Sequence, residues 1–405
     1  MQISLLGHEE KQAAAPEVTF GAILAEVFLE FSVLSKQDGP DRLPPISTLT
    51  RHPVLGAGKS FIARKVPASI YSHHSAKLRG KDYVVFKSLR HRERIDGHEP
   101  SSRHVDERVP RLQNFLRELH VLMHNPLRKH DNIIGFIAVG WERNRLSRDS
   151  VFYWPFLVLE HAEYGSLVEL LEDNPIDFET RRRLCLDVGL GLQALHACDM
   201  IHGDIKPENV LVSGHATRKY IAKIADFGFS IFDLEGTSPS IRQIGWTAPW
   251  QAPESGRSLV FADGKLTDVY SYGFLLWRTV SYGHHPFHQR NGMPSAGCTE
   301  DIERAKQNDG IPEFAASSLK GFLNRSLLTF VTSALMKSAQ FSPRARNLDQ
   351  CLALLRYIFF LLSSMIVPTS LVPLLSHGRA PRRSLFEQRK FLGRYVAPSL
   401  TPHQN

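Results

Sequence analysis

The chain has 405 residues, 42% of them apolar and 22% charged, which is ordinary for a soluble globular protein with a sizeable core. Its net charge of +8 is spread along the chain instead of standing in long basic blocks, so it reads as surface solubility, with no specific nucleic-acid partner. Cys185, Cys198, Cys298 and Cys351 stand far apart without a CxxC pair, which excludes a zinc-ligand set and a disulfide framework and fits a reducing compartment. His73-His74 and His284-His285 have no Cys or carboxylate at ligand spacing and read as exposed loops. Glu9 and Glu10 follow a short apolar run that lacks a cleavage site, so no signal peptide is expected and the expected location is cytoplasmic, with a nuclear one open.

In chain order, residues 1–49 read as an N-terminal extension. Val18 to Leu34 is apolar with Glu26 and Glu30 four residues apart, the pattern of a helix lying on a lobe, and Gln37 to Pro45 has linker composition. Leu55-Gly56-Ala57-Gly58-Lys59-Ser60 follows. A GKS run after glycine ends a P-loop, but that motif needs a further glycine five residues before Gly58, where Pro53 stands. Strand-forming residues on either side favour a hairpin whose glycines let the backbone approach phosphate oxygens. Asp82 to Lys87 is a β-rich run ending in a lysine, and Arg90 to Pro110, broken by Gly97, Pro100 and Pro110, reads as a mobile insertion. Leu112, Phe115, Leu116, Leu119, Leu122 and Met123 recur at helical spacing and put Glu118 within that helix. Phe156 to Glu160 is a continuous apolar strand, Gly165 lets the chain turn into a helix, and Leu184, Val188, Leu192 and Leu195 mark the buried stripe of a long one.

The stretch from Ile201 to Gly228 carries the chemistry. Asp204 lies in HGDIKPEN, five residues before Asn209, and Asp226 lies in ADFG after Tyr220 to Ile224, which alternates as a short strand. Phosphoryl transfer from ATP needs these residue types: one carboxylate to orient and deprotonate a hydroxyl, a second carboxylate and an amide oxygen to hold Mg²⁺ against the triphosphate. Farther on, Leu323, Leu327, Val331 and Leu335 give another helical stripe. Tyr357 to Leu375 is nearly free of charge and long enough on paper to cross a bilayer, but Pro368 and Pro373 interrupt it and Ser363-Ser364 dilutes it. The reading is a helix end plus a packed extension, with a tail anchor as the alternative. No internal repeat is found.

HxDxKPxN followed by DFG resembles the eukaryotic protein kinases. The resemblance covers about residues 50–360 and implies an α+β, bilobal fold, with a small β-rich N-lobe over about 50–160 and a larger helical C-lobe over about 161–360. Residues 361–405 then form a C-terminal extension. It implies ATP and Mg²⁺ as cofactors, protein substrates as partners, Asp204 as catalytic base, and Asn209 and Asp226 as metal ligands. Lys87 would contact the phosphates and pair with Glu118. Gly56 and Gly58 would cover the nucleotide, with Ser60-Phe61 at the hairpin tip where many kinases carry an aromatic residue and a third glycine. Val66, Val85, Leu159, Glu160, Ala162 and Leu211 fall among the nucleotide-binding residues, Val85 standing where the family usually has alanine and crowding the adenine pocket. Lys206, two residues after Asp204, and Thr247 resemble the Ser/Thr type. Asp268 in LTDVYSYG would brace the catalytic loop, and Glu254 of the APE run would pair with Arg346. Gly203 stands where most of the family has arginine, so control by activation-segment phosphorylation is not expected, although Ser230, Thr237, Ser238 and Ser240 are present there. The alternative reading is a catalytically weak pseudokinase, since the third glycine is absent and Trp246 stands where glycine is usual.

Overall fold

The structure, a computed structural model, describes residues 41–42, 49–58, 60–72, 75–90, 108–145, 151–173, 175–232, 247–281 and 310–320, with isolated positions between 306 and 335. Its first half is a six-stranded sheet. The strands are β1 (Asp41–Arg42), β2 (Val54–Ala57), β3 (Phe61–Pro67), β4 (Tyr83–Leu89), β5 (Phe136–Arg145) and β6 (Val151–Glu160), in the spatial order β1-β5-β6-β4-β3-β2. All neighbours pair antiparallel except β1, which runs parallel to β5. The linker reading of Gln37 to Pro45 therefore needs correction at Asp41 and Arg42, which pair with Ala138 and Val139.

Alternation along these strands decides which residues see the core and which see the cleft. Val84 and Phe86 of β4 are fully buried, and they join Leu49, Val66, Ile137, Ala138, Phe156 and Val158 in one apolar cluster. Phe86 and Phe156 stack at 4.9 Å within it. The odd-numbered residues of β4, Val85 and Lys87, lie on the opposite face. Val66 pairs with Val84 and shares its buried face, at 0% exposure. It belongs to the core and is removed from the nucleotide-binding set. The β3 residue facing Lys87 across the register is Ala63.

Helix α1 (Arg108–Met123) lies between β4 and β5 in the chain and buries Leu112, Phe115, Leu116, Leu119 and Leu122 of the stripe read from the sequence, with its last member, Met123, half-buried. It begins before Pro110, which sits in its first turn where no intrahelical N–H is needed. Arg108 to Pro110 are thus helical and not part of an insertion; residues 91–107 lie outside the described residues.

The second half is mainly helical. After α2 (Asn125–Arg128), the turn at Asn132 to Ile134 reaches across to Ile224, with Ile134 N–H donating to Ile224 O at 2.9 Å. Helix α3 (Leu167–Asp173) follows the hinge after β6, where Gly165 has φ +67°. Ser166 and Glu169 cap α3 reciprocally, each backbone N–H donating to the other's side chain. Helix α4 (Phe178–Ala197) is capped by Asp177, which accepts from Thr180 N–H, and it buries Leu184, Val188, Leu192 and Leu195. A Cβ at Gly191 of α4 would lie 2.7 Å from Asn132 O, so this glycine is what lets the helix sit against the turn that supports the site.

Next come β7 (Met200–Ile201), β8 (Val210–His215), β9 (Lys219–Ile224) and β10 (Ile231–Phe232); β8 pairs with β9 and β7 with β10. Helix α5 (Phe261–Val280) is buried over most of its length and packs on α4. It starts at Phe261, so Asp268 of the LTDVYSYG run sits in mid-helix. Helix α6 (Gly310–Leu319) follows. Val331 and Leu335 of the last predicted stripe are buried, whereas Leu323 and Leu327, with Val18 to Leu34 and Tyr357 to Leu375, lie outside the described residues. Among the described residues no helix is long and apolar enough to cross a membrane.

Candidate active site

The cleft is closed at its back by three charged side chains from three elements. Lys87 of β4 donates to both carboxylate oxygens of Glu118 on α1, at 2.7 Å each, and to Asp226 Oδ1 at 2.9 Å. Glu118 is 0% exposed, and burial pushes its carboxyl up to about 7 against the pull of the Lys87 charge. Burial pushes the Lys87 ammonium down, but the two carboxylates hold it above its ordinary value. Burial also pushes the Asp226 carboxyl up, but the charge and hydrogen bond of Lys87, together with the His202 and Lys206 side chains, outweigh it and leave the group below its ordinary value. Asp226 adopts φ +64°, a conformation that non-glycine residues take only when surroundings impose it. The Phe227 ring that follows is fully buried and meets the His202 ring at 5.2 Å.

The loop after β7 is held by hydrogen bonds to one carboxylate. Asp268 accepts from His202 N–H at 2.8 Å and Gly203 N–H at 2.9 Å, and His196 Nε2 lies 3.0 Å from its Oδ2. Asp268 thus braces the loop as the resemblance implies. Gly203 has φ +79°, where a side chain is strained. His202, which the sequence reading passed over, completes the brace: its Nε2 lies 3.1 Å from Ala225 O, and its Nδ1 accepts from Asp204 N–H. On this support Asp204 is buried and fully engaged. Thr247 Oγ1 donates to its Oδ1 at 2.7 Å, while Lys206 Nζ at 2.6 Å and Asn209 Nδ2 at 2.9 Å donate to its Oδ2. Lys206 also reaches Thr247 Oγ1 at 3.1 Å, so the two residues read as marks of acceptor type meet at the candidate base.

The metal-ligand assignment fits this geometry. Asn209 spends its Nδ2 on Asp204, which leaves the amide oxygen as the atom for a hard cation, and the Asp226 side chain is 41% exposed. The nucleotide assignment fits in part. Val85 and Leu159 are directly paired and share the cleft face with Lys87. Across the register on β3, Lys65 stands opposite Val85 and Ala63 opposite Lys87. Ala162 N–H meets no acceptor among the described residues, as a hinge donor for a heterocycle requires. Leu211 is half-buried on β8. Glu160 serves the hinge by its side chain, which accepts from Gly135 N–H at 2.6 Å and Lys223 Nζ at 2.7 Å and so ties β6 to the lower lobe. A Cβ at Gly56 would meet nothing within 4 Å, so the space beside it is open. Phe61 departs from expectation: it starts β3 instead of capping the tip, and its ring is buried in the cleft.

Ser230 is 1% exposed beneath His202 O and is removed from the accessible hydroxyls. Glu254 is buried; Arg346, Trp246, Thr237, Ser238 and Ser240 lie outside the described residues. A cavity of about 700 Å³ opens on the outer side of the hinge, lined by Lys65, Tyr83, Glu160, His161, Glu163 and Lys223 among others, away from the reacting groups.

The family model described as "Protein tyrosine and serine/threonine kinase" matches residues 103–326, more than half of the chain. The "Probable serine/threonine-protein kinase SIS8" of Arabidopsis thaliana is 30% identical over 218 residues, 53% of this chain and 19% of that protein. The "Megakaryocyte-associated tyrosine-protein kinase" of Mus musculus is 30% identical over 160 residues, 39% and 30% of the two chains. The "Serine/threonine-protein kinase SBK1" of the same species is 28% identical over 260 residues, 59% and 57%. The chain spans less than two thirds of the length of each.

Proposed function

The chain is a member of the protein tyrosine and serine/threonine kinase family, and from that premise we propose that it transfers the γ-phosphoryl group of Mg-ATP to serine or threonine hydroxyls of protein substrates. The observation that carries the reading is the meeting of Thr247, Lys206 and Asn209 on the Asp204 carboxylate.

Each residue then has a role set by its contacts. Asp204, fixed by three donors, orients the acceptor hydroxyl and takes its proton. Lys206, 2.6 Å from that carboxylate, supplies positive charge where the transferred group gathers negative charge. Lys87, held charged and aimed by Glu118, meets the phosphates. Asn209 and Asp226 would hold Mg²⁺, which when bound would supply positive charge against the phosphates. Val85, Leu159 and Leu211 enclose the base, with Ala162 N–H as donor. Gly203 leaves the loop without a cation before Asp204, so control would come from association, expression level or the flanking segments. A cytoplasmic location fits the free thiols of Cys185 and Cys198.

The test is a turnover assay with radiolabelled Mg-ATP and a generic basic protein, run beside Asp226→Asn, with the labelled residue identified after hydrolysis. Phosphoserine or phosphothreonine, absent with the variant, supports the reading; phosphotyrosine would overturn the acceptor class. A catalytically weak nucleotide-binding interaction module is the second reading, and the Phe61 ring over Lys87 is what favours it.

A further inference from the structure

We propose that Phe61 determines ligand selectivity in this cleft: its ring occupies the phosphate side and favours a bare nucleoside over the triphosphate until it swings away from Lys87. The proposal rests on the nucleotide-binding reading above and deepens it.

Register places the ring there. Phe61, Ala63 and Lys65 pair with Leu89, Lys87 and Val85, so the odd-numbered residues of β3 share the cleft face with Lys87. Phe61 is 8% exposed although it follows directly on the hairpin tip, and Lys87 Nζ lies 4.6 Å from its ring centroid. On the far side, Phe61 Cε2 is 3.7 Å from where a Cβ on Gly228 would stand, and Asn114 Cβ is 3.4 Å from the same point. Phe61 of β3 and Asn114 of α1 therefore both stand against Gly228 of the Asp226-Phe227-Gly228 turn.

The ammonium beneath it is saturated. Its three N–H groups are matched by two oxygens of Glu118 and one of Asp226, and the ring face covers the ammonium as well. The hairpin is tied down above: Arg90 N–H donates to Ser60 O at 2.8 Å, Arg90 Nη1 to Gly58 O at 3.1 Å, and Asn114 Nδ2 lies 3.4 Å from Ser60 Oγ. A phosphate that is to reach Lys87 must displace the ring and give up this desolvated cation–π contact. A nucleoside needs none of that, because the base side is built from Val85, Leu159, Ala162 and Leu211. A glycine at position 61 would leave the phosphate side open.

The experiment is calorimetric titration of the full chain with adenosine and with Mg-ATP, for wild type, Phe61→Ala, Phe61→Gly and Phe61→Leu. The leucine variant keeps an apolar contact for Gly228 while removing the ring face, so the comparison stands if the smaller replacements do not fold. Wild type is expected to bind adenosine at least as tightly as Mg-ATP. The alanine and glycine variants should gain on the order of tenfold for Mg-ATP, the leucine variant a smaller gain, and adenosine should stay within about twofold. Adenosine binding with an unchanged or weakened ATP-to-adenosine ratio in the folded variants overturns the role of Phe61 and leaves the nucleotide reading intact. Absence of binding by either ligand in every form overturns both.

Discussion

Lys87 Nζ and Asp226 Oδ1 meet at 2.9 Å across a cleft whose walls are 139 residues apart in the chain. The contact joins the sheet lobe to the turn after β9. Asp226→Asn keeps the shape and removes the charge. Saturating Mg-ATP, at about 100-fold over its dissociation constant, is expected to stabilise wild type by about 2.7 kcal/mol and the variant by little. Thermal melts with and without Mg-ATP read this directly, and equal shifts in both proteins would remove Asp226 from the metal site.

Asp204→Ala and Lys87→Met should each stop transfer yet separate in binding. Asp204 acts on the acceptor hydroxyl, so its loss spares nucleotide affinity, whereas Lys87 is the phosphate contact. Lys87→Met also removes the cation that holds the wholly buried Glu118 carboxyl down, so that group rises further and the variant loses the stability the pair contributes. Nucleotide titrations beside denaturant melts distinguish the two variants. Near-normal turnover in Asp204→Ala would end its assignment as base.

Glu118 carries a pH signature of its own. Burial raises its carboxyl from 4.5 to about 7, so between those values the folded chain holds a proton that the unfolded chain releases. Its contribution to stability is therefore complete below about 4.5 and shrinks as pH climbs to about 7. The raised Lys87 value acts elsewhere, its contribution being lost only at alkaline pH above 10.5. Over the Glu118 interval the clamp on Lys87 gains its negative charge, so turnover should rise while stability falls. Glu118→Gln, fixed neutral, should lack both slopes in urea melts and rate profiles; identical slopes in the variant would assign them to other groups.

The charged residues of this site were legible because each stands in a short run whose residue types follow from the chemistry: Lys87 at a strand end, Glu118 on a periodic helix, and Asp204, Asn209 and Asp226 in fixed order. Residues whose role depends on register were not. Val66 lies three positions after Ala63, an odd step that puts it on the opposite face of β3, and the hairpin closure that sets this phase, Gly58 N–H to Phe61 O, leaves no mark in composition. Asp41 and Arg42 have no strand preference of their own and pair only because β5 offers an edge. Ser230 looks like any polar loop residue until His202 closes over it.

The last prediction concerns control, and it starts from how the loop before Asp204 is held. Asp268 takes the His202 and Gly203 N–H groups at 2.8 and 2.9 Å, and Gly203 sits at φ +79° without strain. The geometry around the base is thus set from inside the fold, with no guanidinium at position 203 to receive a phosphate from the activation segment. Thr237, Ser238 and Ser240 could carry one, and Arg242 is a cation within the same segment. If control does not run through this segment, active protein stripped by phosphatase, and shown bare by mass spectrometry, keeps its transfer rate within about twofold. The threshold is informative because losing 1.4 kcal/mol of transition-state stabilisation already slows transfer roughly tenfold. Gly203→Arg supplies the converse: forcing a side chain into the left-handed region should cost about 1–2 kcal/mol in stability without conferring a phosphate requirement. Collapse of activity on dephosphorylation, restored by rephosphorylating Thr237 or a neighbouring serine, would show that another cation does the work of the missing arginine.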